Sequence, residues 1–244
     1  MSPAEEVGSS PSPTVGPERR ADQAVAPAWH TVVLLAVFAA LTVLGWLAQR
    51  SAQMRAPSPA LPHRLVPLQI QAIVFEWATV AWVWFGLRRK GIRLQELAGG
   101  RWPDAKAFLV DILLGGGLWV LWIVISRVEN FLLGHRLDAI PYPIGLLEST
   151  LAVVVAISAG VCEEIVFRGY LQRQFRALSG STVIAVILQA AVFGMAHVYQ
   201  GVRLASMVVL YGMLFGVLAA WRRSLRPGII AHVWSDIAAR LLLI

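Results

Sequence analysis

The sequence predicts an all-α fold, a polytopic membrane bundle of about seven transmembrane helices. Of its 244 residues, 57% are hydrophobic and 14% are charged, whereas a soluble domain carries about a quarter charged residues. The apolar residues form runs of about 17–22 residues, the length that a helix needs to cross the hydrocarbon core of a bilayer. Between several of these runs lie segments rich in proline or arginine, which are typical of loops.

A polar segment precedes the first apolar run. Residues 1–28 are rich in Pro, Ser, Gly and Ala and show no apolar period, so we predict a disordered tail. Helices 1–3 form an N-terminal part, residues 29–145, and helices 4–7 form a C-terminal part, residues 146–244. The predicted helices are Trp29–Ala48, Val66–Leu87, Ala107–Ser126, a helix that begins near Leu146, Thr182–Tyr199, Leu204–Trp221 and Pro227–Ile244.

The distribution of Lys and Arg predicts the orientation in the membrane. The tail, loop 88–106, segment 167–181 and loop 222–227 contain 14 of these residues, and the alternate loops contain 6. Because cytoplasmic loops carry the excess of positive charge, we expect the N-terminus inside and the C-terminus outside. The net charge of +7 then indicates contact with anionic membrane lipid rather than nucleic acid. We expect a multi-pass protein of the inner or plasma membrane.

Two adjacent carboxylates interrupt the fourth apolar run. Glu163 and Glu164 follow the apolar stretch 146–160, and Arg168 comes four residues after Glu164. Charge beside hydrocarbon costs a few kcal/mol per residue, so such residues usually have a function. Glu164 and Arg168 share one helical face and can pair, whereas Glu163 points about 100° away. The pair can equally be a structural brace.

Two histidines on later helices have partners four residues away. Phe193 precedes His197, and His232 precedes Asp236, whose carboxylate could orient the imidazole. If the fourth helix continues and turns at Gly180, residues 163 and 197 lie at the same level of an antiparallel hairpin. A simple span would place His197 on the far side of the membrane. We favour the hairpin because it brings the acid and both histidines together.

A carboxylate and two imidazoles can activate water in two ways. Glu163 can act as the general base for a water that His197 and His232 hold. Alternatively, these three side chains can bind a divalent metal such as zinc, which acidifies a bound water. Both arrangements predict hydrolysis of an amide or ester, and the spacing does not choose between them. The sequence therefore requires no cofactor but leaves a metal open.

The chain resembles the CPBP family of intramembrane proteases, which includes CAAX proteases, bacteriocin-processing enzymes and abortive-infection proteins. The family pattern is EExxxR, then FxxxH, then HxxxN or HxxxD, within a helical membrane bundle. The corresponding segments here are Glu163-Glu164-Ile-Val-Phe-Arg168, Phe193-Gly-Met-Ala-His197 and His232-Val-Trp-Ser-Asp236. The resemblance covers residues 146–240, and helices 1–3 match only in being apolar.

The resemblance implies an endopeptidase that cuts a membrane-associated peptide or protein in a cavity open to the cytoplasm. It implies that Glu163 activates water with His197, while His232 and Asp236 shape the oxyanion side. An ionised Asp236 can only accept hydrogen bonds, so we expect it to orient His232. Supporting positions are Glu164, Arg168 and Phe193.

Two other functions are compatible with the sequence. A catalytically silent scaffold or immunity protein could retain the same fold. An ion or proton carrier could use Glu76 and Asp111 together with the predicted site residues, although no inverted repeat of the kind found in many transporters is visible. Glu76 and Asp111 are more simply interpreted as helix-packing or interfacial groups.

Overall fold

The structure is a computed structural model that describes residues 23–53, 65–133 and 145–239. Every regular element in these ranges is a helix, which confirms the predicted all-α fold. The predicted tail lies mostly outside the described residues, as does the end of the predicted seventh helix at 240–244. The tail's last residues are ordered: Val25 and Ala26 are buried, and their backbone N–H groups donate to Gln174.

The N-terminal part of the bundle contains three long helices and one short helix. They are α1 (Ala28–Gln53), α2 (Leu65–Arg88), α3 (Leu94–Ala98) and α4 (Ala105–Leu133). Helix α3 lies in the predicted loop 88–106. Helix α4 extends beyond its predicted end at Ser126, because Glu129 and Asn130 in its last turns bind Arg203 of a later helix.

The C-terminal part is built around one continuous helix, Leu146–Ser179. Its elements are α5 (Leu146–Glu163), a π-helical segment (Glu164–Leu171), α6 (Gln172–Ser179), α7 (Thr182–Ala196), a 3-10 turn (Val198–Gln200), α8 (Val202–Arg222) and α9 (Arg226–Ile237). Gly180 ends α6 in the left-handed conformation, with φ of 67°. The chain then turns back into α7, so the helical hairpin around Gly180 is present.

The described part of the chain contains five helices long and apolar enough to cross a membrane: α1, α2, α4, the continuous helix Leu146–Ser179 and α8. The protein is therefore a multi-pass membrane protein. Helix α7 is apolar but has 15 residues, and α9 has 12. The number of seven transmembrane helices and the N-inside orientation stay predictions.

Close packing of α5 against α9 positions the polar residues of the C-terminal part. Helix α5 lies between α2 and α9. At the crossing with α9, a Cβ atom on Gly160 would lie 2.9 Å from the backbone nitrogen of Val233. Glycine here lets the two backbones approach closely, as small residues do between membrane helices. Because Glu163 lies one turn beyond Gly160 and His232 precedes Val233, this contact brings the carboxylate and the imidazole together.

Candidate active site

The EExxxR motif passes from α-helical into π-helical backbone. The π-helical segment begins at Glu164 and ends at Leu171, and all eight of its residues are buried. π-Helical segments are found frequently at functional sites, and the wider turn changes which face each side chain occupies. Despite the changed turn, Arg168 NH1 lies 3.0 Å from Glu164 Oε1, and both side chains are inaccessible to solvent.

Glu163 lies at the junction of α5 and the π-helical segment, with its carboxylate between two histidines. Its Oε1 lies 4.0 Å from His197 Nε2, and its Oε2 lies 3.5 Å from His232 Nε2. The side chain is 21% exposed, in contrast to the fully buried Glu164. The two adjacent acids therefore have different surroundings, and Glu163 is the one that water can reach.

His197 is held in a single orientation at the end of α7. It is the C-cap residue, with φ of −101° and ψ of 6°, so the helix ends at Ala196 rather than at the predicted Tyr199. Its Nδ1 lies 2.8 Å from the carbonyl oxygen of Phe193. Because a carbonyl only accepts, Nδ1 carries the hydrogen in this bond, and Nε2 is left facing Glu163.

His232 is buried in α9 and has carboxylates on both sides of its ring. Its Nδ1 lies 3.1 Å from Glu164 Oε1 and donates to it. Its Nε2 lies near Glu163 and is 3.9 Å from Asp236 Oδ1. A carboxylate that fixes one ring nitrogen leaves the other one directed at the reaction centre. Both histidines thus present Nε2 to Glu163.

Arg168 and two aromatic rings form the buried base of the cluster. The guanidinium carbon lies 4.3 Å from the ring centroid of Phe193 and 5.5 Å from that of Phe215. The edge of the Phe193 ring also packs against His197, with centroids 4.7 Å apart. A cation over aromatic rings gains attraction without needing water, so these contacts help to keep Arg168 beside Glu164.

The structure brings all seven predicted site residues into one cluster. These are Glu163, Glu164, Arg168, Phe193, His197, His232 and Asp236. Asp111 forms a separate group: it is fully buried, accepts from Trp102 and pairs with two arginines that flank the turn between α8 and α9. This geometry supports the interpretation of Asp111 as a packing group.

Two aromatic residues of the site were not identified from the sequence. The Tyr211 ring packs edge-on against His232, with centroids 5.3 Å apart, and stacks on Phe215 at 3.9 Å. Phe215 in turn lies 5.9 Å from the His232 ring. Both come from α8, and their spacing of four residues, which places them on one face, was the available signal.

The donor types at the site suit a zinc ion, since imidazole and carboxylate are common zinc ligands. The arrangement of these side chains does not fit a zinc ion. In the described ranges, no group of three or more His, Cys, Asp or Glu side chains has the geometry of a metal site. The reaction steps are therefore derived from the side chains themselves.

One known protein family matches the segment that contains this cluster. Residues 145–238 match the model of a family described as type II CAAX prenyl endopeptidase Rce1-like. This match confirms the CAAX-protease resemblance. The matched CAAX-protease segment runs from the start of α5 to the end of α9 and includes all three motifs, whereas α1–α4 lie outside it.

At the family level, the match supports a CAAX-type intramembrane protease. No curated protein and no solved structure gave a significant match. The matched family indicates that the substrate is a peptide or a protein. The roles of the individual site residues are assigned from the geometry of the site.

Proposed function

We propose that the protein is an intramembrane endopeptidase in which Glu163 activates water together with His197 and His232. The observation that carries this proposal is the position of the partly exposed Glu163 carboxylate, 4.0 Å and 3.5 Å from two imidazole Nε2 atoms. The site also lies in a membrane bundle and within a segment that matches a protease family.

The gap between Glu163 and His197 suits one bridging water. A distance of 4.0 Å is too long for a direct hydrogen bond, and polar groups at this separation are commonly joined by water. Such a water donates one hydrogen to Glu163 Oε1 and the other to His197 Nε2. Its oxygen lone pair is then free to attack a substrate carbonyl.

Attack and bond cleavage follow as two proton transfers. Glu163 removes a proton from the water as its oxygen bonds to the carbonyl carbon, and the carbonyl oxygen becomes an oxyanion. His232 in its doubly protonated form donates from Nε2 to this oxyanion. Glu163 then delivers its proton to the leaving amide nitrogen, the C–N bond breaks, and a carboxylic acid and an amine are released.

The remaining polar residues position this machinery. Glu164 accepts from His232 Nδ1, and Arg168 supplies the counter-charge that lets Glu164 remain ionised away from water. Asp236 lies four residues after His232 on the same helical face, at 3.9 Å from its Nε2. We assign Glu164, Arg168 and Asp236 to orientation rather than to contact with the reacting atoms.

A membrane-associated peptide or protein is the substrate class that we propose. The purified protein is incubated with two probes, a prenylated peptide with a C-terminal CAAX sequence and an extract of membrane proteins. New peptide ends are then identified by mass spectrometry. Cleavage of the first probe indicates a CAAX substrate, and cleavage confined to the second indicates another membrane protein.

The mechanism is tested with Glu163→Gln and with a matched control, Glu148→Gln, at the other end of α5. Glu163→Gln keeps the shape of the side chain but removes the base, so we expect at least about a 100-fold loss of cleavage. We expect His197→Gln to lose activity similarly and Glu148→Gln to retain it. Full activity of Glu163→Gln would overturn the mechanism, and a chelator that abolishes cleavage would move it to the metal-dependent class.

A further inference from the structure

A cavity of about 960 Å³ lies at one end of the bundle, beside the candidate active site but distinct from it. Its walls come from residues 23–25 before α1, the turn after α2, the short helix α3, the π-helical segment and α6, the start of α7, and the end of α8 with the turn that follows it. Glu163, His197 and His232 do not line it. Its volume is that of a site for a small molecule or a headgroup.

Positive charge dominates the lining of this cavity, which we term the basic vestibule. Its cationic residues are Lys90, Arg168, Arg173, Arg176 and Arg223, and its acidic residue is Glu96. The Arg173 guanidinium is held in place because it donates to the carbonyl oxygen of Leu97 at 3.1 Å. Cations that converge on one cavity raise the local concentration of anions.

Among the residues of the vestibule, Arg168 gives the strongest evidence for a bound ligand. It is 2% exposed, yet it lines the cavity. Its NH1 pairs with Glu164, whereas Nε and NH2 have no hydrogen-bond acceptor among the residues that the structure describes. Buried donors without acceptors are costly, and the planar fork of arginine suits the oxygens of a phosphate.

We propose that the basic vestibule binds a phosphate group, carried either by a phospholipid headgroup or by a soluble phosphate compound. The phosphate oxygens accept from Arg168 at the floor and from Arg173 in the wall, while Lys90 and Arg223 at the exposed rim attract the anion. This binding site is additional to the proposed hydrolysis. The basic vestibule and the catalytic cluster share Arg168, because its guanidinium also pairs with Glu164, which in turn accepts from His232.

The test uses the full-length protein in a maltoside detergent, which contains no phosphate. Inorganic phosphate is titrated at constant ionic strength, and phosphatidylglycerol is added in a separate series, with Tm as the measure of binding. The vestibule variant is Lys90→Gln with Arg223→Asn. Both residues are exposed, and asparagine tolerates the φ of 53° at position 223.

The control variant is Arg88→Gln with Arg89→Gln, which removes two neighbouring positive charges that do not line the vestibule. We expect a ligand-dependent rise in Tm for the wild type and the control. We expect the apparent Kd of the vestibule variant to be weaker by about tenfold, because two positive charges that attract the anion are lost from the rim.

The two probes distinguish the source of the phosphate. A response to inorganic phosphate indicates a soluble phosphate compound, and a response confined to phosphatidylglycerol indicates a lipid headgroup. Equal responses of the vestibule and control variants would overturn the proposal, because they would reflect general electrostatics. Absence of any response in the wild type would also overturn it. Neither result depends on peptide cleavage, so the proposed protease activity is tested separately.

Discussion

The continuous helix Leu146–Ser179 and the three long N-terminal helices are all apolar, yet the protein encloses them to different extents. In the most apolar stretch of Leu146–Ser179, 61% of the residues are buried inside the protein. For α1, α2 and α4, the corresponding share is between 17% and 22%. The N-terminal helices are therefore much less enclosed by protein than the central helix, which is surrounded by other helices.

Polar residues differ between the two regions in the same way. The central helix keeps Glu164 and Arg168 fully buried and paired. The N-terminal helices carry buried polar groups where they contact the C-terminal part. On α1, His30 Nδ1 and Thr31 Oγ1 both lie within hydrogen-bond distance of the Tyr170 hydroxyl, at 2.7 Å and 2.8 Å.

The contact between α1 and the central helix is a directed chain of hydrogen bonds. His30 Nε2 donates to the carbonyl oxygen of Trp82, so Nδ1 of the neutral ring accepts from Tyr170. Gln174 Nε2 donates to Thr31 Oγ1 at 2.7 Å, which leaves the Thr31 hydroxyl to donate to Tyr170. Each member of the chain thus has both a donor and an acceptor role, as a stable buried network requires.

The family match, residues 145–238, covers the enclosed region and does not include the three long N-terminal helices. A helix that faces lipid needs apolar side chains of no particular pattern, together with a few polar groups aimed at its neighbour. A helix that holds ionised groups away from water needs a defined partner for each one.

Arg168→Gln should give the largest loss of stability, because it leaves the Glu164 carboxylate buried without its counter-charge. We expect the free energy of unfolding to fall by about 3–5 kcal/mol, measured by denaturant unfolding in detergent micelles. The double variant Glu164→Gln with Arg168→Gln should recover part of the loss, since no charge is then stranded. A single variant as stable as the wild type would show that the pair is not essential to the enclosed core.

Tyr170→Phe should have an intermediate effect, because it breaks the contact between the two regions. Removal of the hydroxyl leaves His30 Nδ1 and Thr31 without their partner, and we expect a loss of about 1–3 kcal/mol in the free energy of unfolding. The matched control is Tyr199→Phe, at a ring that is 55% exposed. Equal stability of the two variants would contradict a role for the network in attaching α1.

The sequence predicted the parts of the site that depend on helical spacing. Residues four apart share a face, so the pairing of Glu164 with Arg168 and the neighbourhood of His232 and Asp236 followed from an ordinary α-helix. The turn at Gly180 was predicted from the glycine itself. These features depend only on the spacing of residues along one segment of the chain, which can be read from the sequence.

The features that the sequence did not reveal depend on contacts between distant helices. The π-helical turn at Glu164 has no distinctive composition. Tyr170 and Gln174 were not recognised as partners of the N-terminal part, because 140 residues separate Tyr170 from His30, and 143 and 148 residues separate Gln174 from Thr31 and Ala26. The ordered packing of Val25 and Ala26 escaped prediction for the same reason, since their local composition is that of a tail.

Arg203→Gln should have a smaller effect, because its ion pair is partly open to solvent. Arg203 donates to both oxygens of Glu129 at 2.8 Å, which joins α8 to the end of α4. The Arg203 side chain is 38% exposed, so we expect a loss of about 1 kcal/mol or less. The loss should shrink at high salt, when unfolding is measured at two ionic strengths. A salt-independent loss of several kcal/mol would contradict this expectation, because it would show that the ion pair of Arg203 with Glu129 behaves like a buried one.

Leu113→Ala should give the smallest effect of the four. Leu113 on α4 is 73% exposed, and lipid tails are as apolar as leucine, so we expect a change within about 0.5 kcal/mol. The same deletion at Leu171, which is fully buried at the end of the π-helical segment, should cost about 2–5 kcal/mol because it leaves a cavity. The two variants remove identical groups from the two regions, and their unfolding is measured in parallel. If Leu113→Ala cost as much as Leu171→Ala, α4 would be enclosed by another protein surface rather than by lipid.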